Sequence, residues 1–333
     1  MKQLLLFILM LSSANALASK APIGIVIHGG AGTINRDSMT PAQEQAYHAM
    51  LTHAVNQGYA VLERGGSSLD AVTAAVTVLE DSPLFNAGKG AVYTFDESHE
   101  LDASIMNGRD RSAGAVAGVT NVKNPILLAR AVMEKSDHVM LSGKGAEQFA
   151  KQQKLELVDN SYFNTEFRYE ALQRAKQAIA PQPHQAAVPY DPAWKMGTVG
   201  AVAIDRKGNL AAATSTGGMT AKRYGRIGDA PIIGAGNFAD NKSCAVSATG
   251  HGEFFIRYQV ASDICARVKY QRKTAAVAAK EVMAELKKVG GDGGVIVVDS
   301  KGQLSWTFNT EGMYRALKAE GGQVISEIFA AKS

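Results

Sequence analysis

The segment TVGAVAIDRKGNLAAATST, residues 198–216, restricts the fold more than any other stretch of the chain. Two runs of small and β-branched residues flank a turn, RKGN, and neither run alternates with polar residues. A strand that is apolar on both faces must be covered on both. GGVIVVDSKGQLSWTFNT (293–310) repeats the pattern of strand, Asp-x-x-Gly turn and strand. Helical periodicity lies before and between these hairpins, which predicts stacked layers of helix and sheet rather than a barrel. The 33 glycines and an aromatic share of 7% suit layers that approach closely.

The first residues stand apart from that pattern. MKQLLLFILMLSSANALASKAP has one early lysine, an apolar run from Leu4 to Leu11 and small residues after it, as an export signal does. Ala16-Leu17-Ala18 fits the small-x-small cleavage rule, so a signal over 1–18 and a mature start at Ser19 are expected, with cleavage after Ala16 as the alternative. The run is too short for a stable membrane anchor. Losing Lys2 changes the formal charge from +4 to +3. The basic residues are dispersed, which argues against a nucleic-acid partner. A periplasmic or secreted location follows. Cys244 and Cys265 are the chain's two cysteines; two small buried core residues are expected, with a single bridge as the alternative.

PIGIVIHGGAG (22–32) reads as a buried strand entering a tight loop, with His28 a strand-end residue. In the next helix Thr40 is the N-cap, Pro41 suits the first position, Gln43 completes a capping box, and Gly65-Gly66 end it. A second helix runs to Glu80. VYTFDE (92–97), ELDASIMNG and AGAVAGV read as strands, and NPILLARAVMEKS and GKGAEQFAKQQ as helices. From about Lys176 to Gly197 four prolines and weak periodicity indicate an extended linker. Two amphipathic helices are expected at about 253–270 and 273–289.

Order returns at Gly197-Thr198. A threonine hydroxyl is a poor nucleophile without a base at hydrogen-bond range. A threonine at a chain start carries one, an α-amine with an ordinary pKa of about 7.7–8.0. Thr198 acquires it only if the chain is cut before it. Its hydroxyl attacking the Gly197 carbonyl would give an ester that water hydrolyses. Gly-Thr alone is more simply the start of a strand. Downstream, however, stand TSTGGMT (Thr214, Ser215, Thr216), GRIGDAPIIGAG (Arg226, Asp229) and TGHGE (Thr249, Gly250, Gly252), a combination that chance does not readily supply.

With IHGGAG, LEDSPLFNAGKGAVYT, HELDASIMNG, NPILLAR, GTVGAVAID and FNTEGMYR, these segments resemble the plant-type asparaginase and isoaspartyl peptidase family of N-terminal-nucleophile hydrolases over nearly the whole mature chain. The resemblance implies an α/β fold, a four-layer αββα sandwich. It implies self-cleavage between Gly197 and Thr198 into an α subunit (19–197) and a β subunit (198–333) sharing one domain, usually assembled as a dimer of heterodimers. Thr198 would be the nucleophile and Thr216 the hydroxyl that steadies it. Thr249 and Gly250 would be the oxyanion donors. Arg226 would hold the substrate α-carboxylate, and Asp229 with the Gly252 carbonyl its α-ammonium. Gly250 would also border the substrate, and Asn86 would lie near the nucleophile. The substrates would be β-aspartyl dipeptides and L-asparagine. The loop Leu79–Lys89 would wrap a structural sodium ion through main-chain carbonyls of Leu79, Glu80, Ser82, Phe85, Ala87 and Lys89, and the chemistry would need no cofactor. His251 is a neighbour of the site rather than its base. The histidines show no zinc-ligand spacing.

Two other readings compete. A glycosylasparaginase of the same superfamily usually has Asp before the nucleophile and TSTNG where this chain has TSTGG; Gly197 and Gly218 argue against it. A non-catalytic exported binding protein would use HGGAG as an anion loop, but the GxGxxG spacing is missing.

Overall fold

The computed structural model describes residues 21–179 and 197–331. The expected export signal and most of the expected linker lie outside the described residues.

The large sheet has eight strands, β1 (Gly24–Gly32), β2 (Leu101–Asn107), β3 (Ala113–Val119), β4 (Met140–Ser142), β5 (Val199–Ile204), β6 (Leu210–Thr216), β11 (Gly312–Ala319) and β12 (Ile325–Phe329). Their spatial order is β12-β11-β1-β5-β6-β2-β3-β4. The small sheet runs β10-β9-β8-β7, from β7 (Asn237–Ala239), β8 (Cys244–Gly250), β9 (Gly293–Asp299) and β10 (Leu304–Phe308). Both apolar hairpins form as the sequence predicts, β5/β6 and β9/β10.

Every residue of β5 and β6 is buried because both faces of the large sheet are covered. On one side lie α1 (Pro41–Glu63), α2 (Ser68–Asp81), α3 (Pro125–Lys135) and α4 (Gly143–Gln152), packed on Ile25, Ile27, Val199, Ala201 and Ala213. On the other lies the small sheet, with Val26, Val202, Ala212, Ile296 and Val298 between the two. The outer face of the small sheet carries α7 (Val260–Gln271) and α8 (Ala275–Lys288) over Val246, Ala248, Val295 and Val297. Helix, sheet, sheet, helix is the four-layer αββα order expected. Among the described residues no helix is long and apolar enough to cross a membrane.

Thr40 caps α1 in a full capping box with Gln43, and the helix stops before Gly65-Gly66. Four expectations need correction. VYTFDE makes turns and one isolated bridge, Thr94 to Lys222, not a strand. The helix expected over 253–270 is two, α6 (Gly252–Tyr258) and α7, because Gln259 between them is left-handed at φ 49°. A fifth helix, α5 (Glu166–Ile179), runs through the expected start of the linker, its inner face packed on Tyr93 and Ala221. Cys244 and Cys265 are buried, as expected, but they are also joined in a disulfide. It ties the start of β8 to α7, with Cα atoms 5.3 Å apart, inside the reach of a bridge.

Candidate active site

The register of β5 against β6 builds the site. Val199 lies opposite Ser215, so Thr198, one residue earlier, meets Thr216 at the end of β6. The Thr198 hydroxyl donates to Thr216 Oγ1 at 3.1 Å. Thr216 Oγ1 also accepts the Gly218 main-chain N–H at 3.0 Å. That donor is aimed by a left-handed φ of +85° at Gly218, a backbone state glycine adopts without steric cost. This is a structural reason for Gly-Gly after the TST triplet.

Gly197 is a glycine for a different reason. A Cβ there would sit 2.0 Å from the Cα of Gly30 on β1, so backbone meets backbone beside the Gly197–Thr198 bond.

Thr198, Thr216, Arg226, Asp229, Gly250 and Gly252 line one pocket, which Gly197 and His251 also border. Asp229 is buried, and its Oδ2 has no hydrogen-bond partner. Burial raises its carboxyl to about 7, although the Arg226 charge pulls the other way. Arg226 donates from Nε and Nη2 to the two carboxylate oxygens of Glu253, at 2.9 Å each. Burial would raise Glu253, but this pairing outweighs it and holds the carboxyl below its ordinary range. A Cβ at Gly252 would fall 2.8 Å from Arg226 Nη2 and 3.0 Å from Asp229 Oδ1, so glycine keeps both charged groups in reach of the pocket. A planar guanidinium and an unpaired carboxylate oxygen in one pocket match an α-amino acid zwitterion.

Thr249 and Asn86 stand apart from that lining. Thr249 is fully buried next to Gly250 at the end of β8, and its hydroxyl lacks a partner. Asn86 has its side chain committed: Nδ2 donates to the Gly218 carbonyl at 2.7 Å and Oδ1 accepts from Val92 N at 3.0 Å. It holds the glycine turn behind Thr216. His251 Nε2 lies 3.4 Å from Glu253.

The loop at the end of α2 crowds carbonyl oxygens. A Cβ at Gly88 would meet the Glu80 carbonyl at 2.3 Å, and one at Gly90 would meet those of Phe85 at 2.2 Å and Pro83 at 2.7 Å. The carbonyls of Leu79, Phe85 and Ala87 each accept one main-chain N–H, leaving a second lone pair. Neutral main-chain oxygens are the donor type that hard cations take. Lys89 turns its ammonium to the Tyr162 carbonyl.

Residues 21–327 match the asparaginase family. The chain is 51% identical over 309 residues to the isoaspartyl peptidase of Escherichia coli (strain K12), covering 92% of this chain and 96% of that protein. The chain belongs to the asparaginase family. To the isoaspartyl peptidase/L-asparaginase of Homo sapiens it is 43% identical over 289 residues, 86% of this chain and 90% of the relative. To the probable isoaspartyl peptidase/L-asparaginase 2 of Arabidopsis thaliana it is 41% identical over 316 residues, 90% and 96% of the two chains. The layered core of this asparaginase-family chain is accordingly that of an N-terminal-nucleophile hydrolase.

Three groups near the site had no sequence signal strong enough to single them out. His28, expected at a strand end, instead lies in the middle of β1, paired on both sides; it is fully buried and approaches the Thr198 carbonyl at 3.0 Å. Glu253 follows Gly252 and reads as an ordinary first-turn acid. The Glu80 side chain accepts from Ser215 Oγ at 2.6 Å, directly before Thr216.

Proposed function

We propose that this chain is an autocleaving isoaspartyl peptidase and L-asparaginase with Thr198 as its nucleophile. The observation that carries the reading is the pocket in which the Thr198 hydroxyl, 3.1 Å from Thr216, shares a wall with Arg226 and with Asp229, whose Oδ2 has no hydrogen-bond partner.

In maturation the Thr198 oxygen attacks the Gly197 carbonyl carbon and passes its proton towards Thr216. The Gly197–Thr198 C–N bond breaks and the nitrogen takes up a proton. Water then hydrolyses the resulting ester, leaving a carboxylate on Gly197 and a free hydroxyl and amine on Thr198. In turnover that amine is the base. Arg226 takes the substrate α-carboxylate in exchange for Glu253, and Asp229 with the Gly252 carbonyl takes the α-ammonium. The Thr198 oxygen attacks the side-chain carbonyl carbon, and its proton moves to the amine and then to the leaving nitrogen. The Thr249 hydroxyl and the Gly250 N–H hold the developing oxyanion; losing one such donor costs about 10²–10³ in rate. Water, deprotonated by the amine, hydrolyses the acyl ester and releases aspartate.

Main-chain carbonyls of the Leu79–Lys89 loop would hold a sodium ion, which would stiffen the support of Asn86 and take no part in bond breaking. Export to the periplasm or beyond is supported by the first residues of the sequence and by the disulfide, since bridges persist in oxidising compartments. Assembly as a dimer of αβ heterodimers is supported by the resemblance alone.

The test is a denaturing gel with N-terminal sequencing, alongside assays of a β-aspartyl dipeptide, L-asparagine and a glycosylated asparagine. The expected result is two fragments, the smaller starting Thr198-Val199-Gly200, with hydrolysis of the first two substrates. Thr198→Ala is expected to run as one inactive band. An intact wild-type chain that still turns over substrate would refute the mechanism.

A further inference from the structure

We propose that His28 is a positioning residue for the nucleophile, acting through the Thr198 carbonyl and held in its working tautomer by Ser247. The inference deepens the functional reading above and rests on it.

Three observations meet at this histidine. First, its two ring nitrogens are both engaged: Nδ1 lies 3.0 Å from the Thr198 carbonyl oxygen, and Nε2 lies 3.0 Å from Ser247 Oγ. A carbonyl only accepts, so Nδ1 carries the proton and Nε2 must accept from the serine hydroxyl. Second, the serine is itself fed. Thr214 Oγ1 lies 2.7 Å from Ser247 Oγ and 3.1 Å from the Gly236 carbonyl oxygen; with the serine proton committed to His28, the one threonine proton is shared between these two acceptors, the serine being the nearer. Asn237 Nδ2 donates in turn to Thr214 Oγ1 at 3.4 Å. The hydrogen bonds run in one direction, from β7 through β6 and β8 to β1, and end on the nucleophile's own carbonyl. Each donor in such a chain polarises the next.

Third, space has been left for the pair. Gly200 on β5 lies opposite His28 on β1. A Cβ at 200 would stand 2.0 Å from Ser247 Oγ and 2.5 Å from His28 Nε2. Glycine in the middle of a buried strand forgoes packing, and here its missing side chain is the room in which imidazole and serine meet. The ring is fully buried, and burial lowers its pKa to about 3 against the opposing bond to Thr198, so it stays neutral at any working pH.

The consequence concerns geometry. Arg226 and Asp229 anchor the substrate from the loop after β6, whereas His28 anchors residue 198 from β1. Fixing the carbonyl fixes the Cα of Thr198, and so the direction of its hydroxyl and of the amine released by cleavage. A displacement of about 1 Å at a reacting atom costs on the order of 10²-fold in rate.

Asparagine and glutamine at 28 separate this role from simple filling. The amide nitrogen of Asn reaches the place of Nδ1, and that of Gln the place of Nε2. His28→Asn is expected to keep kcat within about tenfold of wild type, and His28→Gln to lose about 10²-fold, with KM for the dipeptide within about twofold in both. Self-cleavage rates should rank the same way, which keeps the test open if His28→Gln matures too slowly to assay. Ser247→Ala leaves the ring in place and removes its tautomer lock; a fall in kcat at unchanged KM and unchanged secondary structure is expected. Equal rates for His28→Asn and His28→Gln, a change confined to KM, or a Ser247→Ala enzyme with wild-type kcat would overturn the proposal. Wild type is assayed in parallel. Failure of wild type itself to cleave and hydrolyse overturns the functional reading, and this proposal with it.

Discussion

Asp229 carries the sharpest consequence of burial at a single residue. Its carboxyl titrates at about 7, so near neutrality the empty pocket exchanges a proton where the substrate needs a negative charge. Below that value the protonated acid cannot pair with an ammonium. KM for a β-aspartyl dipeptide should therefore rise as pH falls from about 8 to about 6, in addition to the fall in kcat that protonation of the Thr198 amine brings over the same range. Asp229→Asn should raise KM by about 10–100-fold, the worth of a hydrogen bond to a charged group, and flatten that pH dependence. Steady-state kinetics across pH checks both. Most of these site residues were legible because Arg226, Asp229, Thr249 and Gly250 sit in motifs with fixed spacing. His28 was not, because a lone histidine in an apolar strand is ordinary until Thr198 and Ser247 are brought against it. Glu253 was hidden likewise, since its partner Arg226 is 27 residues away.

At the level of elements, local signals were reliable and distant ones were silent. The capping box of α1 and both apolar hairpins are written within a few residues each. The strands β11 and β12 turn at Gly321-Gly322 but mix charged with apolar residues, and β11 takes its register between β1, with His28 opposite Arg315, and β12, with Arg315 opposite Glu327. The break between α6 and α7 falls at Gln259, a residue type that does not announce a left-handed turn. Helix α2 offers a test of its own. It brings the Glu80 carboxyl fully inside the fold, where burial raises it from 4.5 to about 8 despite the Ser215 hydrogen bond. Between those values the folded chain keeps a proton that the unfolded chain has released, so stability falls as pH rises through that window. Gln at 80 keeps the acceptor for Ser215 and cannot ionise. Glu80→Gln should match wild type in thermal midpoint near pH 4.5 and exceed it near pH 8, where Glu80 titrates. Thermal melts at the two pH values decide.

Across the whole molecule, the layered architecture followed from apolar runs that alternate with nothing, because only two covered sheets can hide them. The disulfide did not follow: 21 residues separate its cysteines, and only the packing of α7 on β8 brings them together. Closing a loop of that length is worth about 3 kcal/mol in the chain-entropy model. A Cys244→Ser/Cys265→Ser double variant should melt roughly 5–10 °C lower and keep kcat within about twofold, because the bridge sits at the end of β8 away from Thr249. The strand order has a further implication. In the large sheet β1 from the segment before residue 198 lies between β11 and β5 from the segment after it. Cutting the chain at 197 therefore makes two polypeptides woven through one another in the large sheet, which neither owns whole. Unfolded in denaturant and diluted, the cut protein must find its partner by collision, so its recovery should slow in proportion to concentration while that of uncut Thr198→Ala does not. The bond that has to break for the enzyme to work is also the one that lets the chain assemble by itself, and it serves that purpose only once.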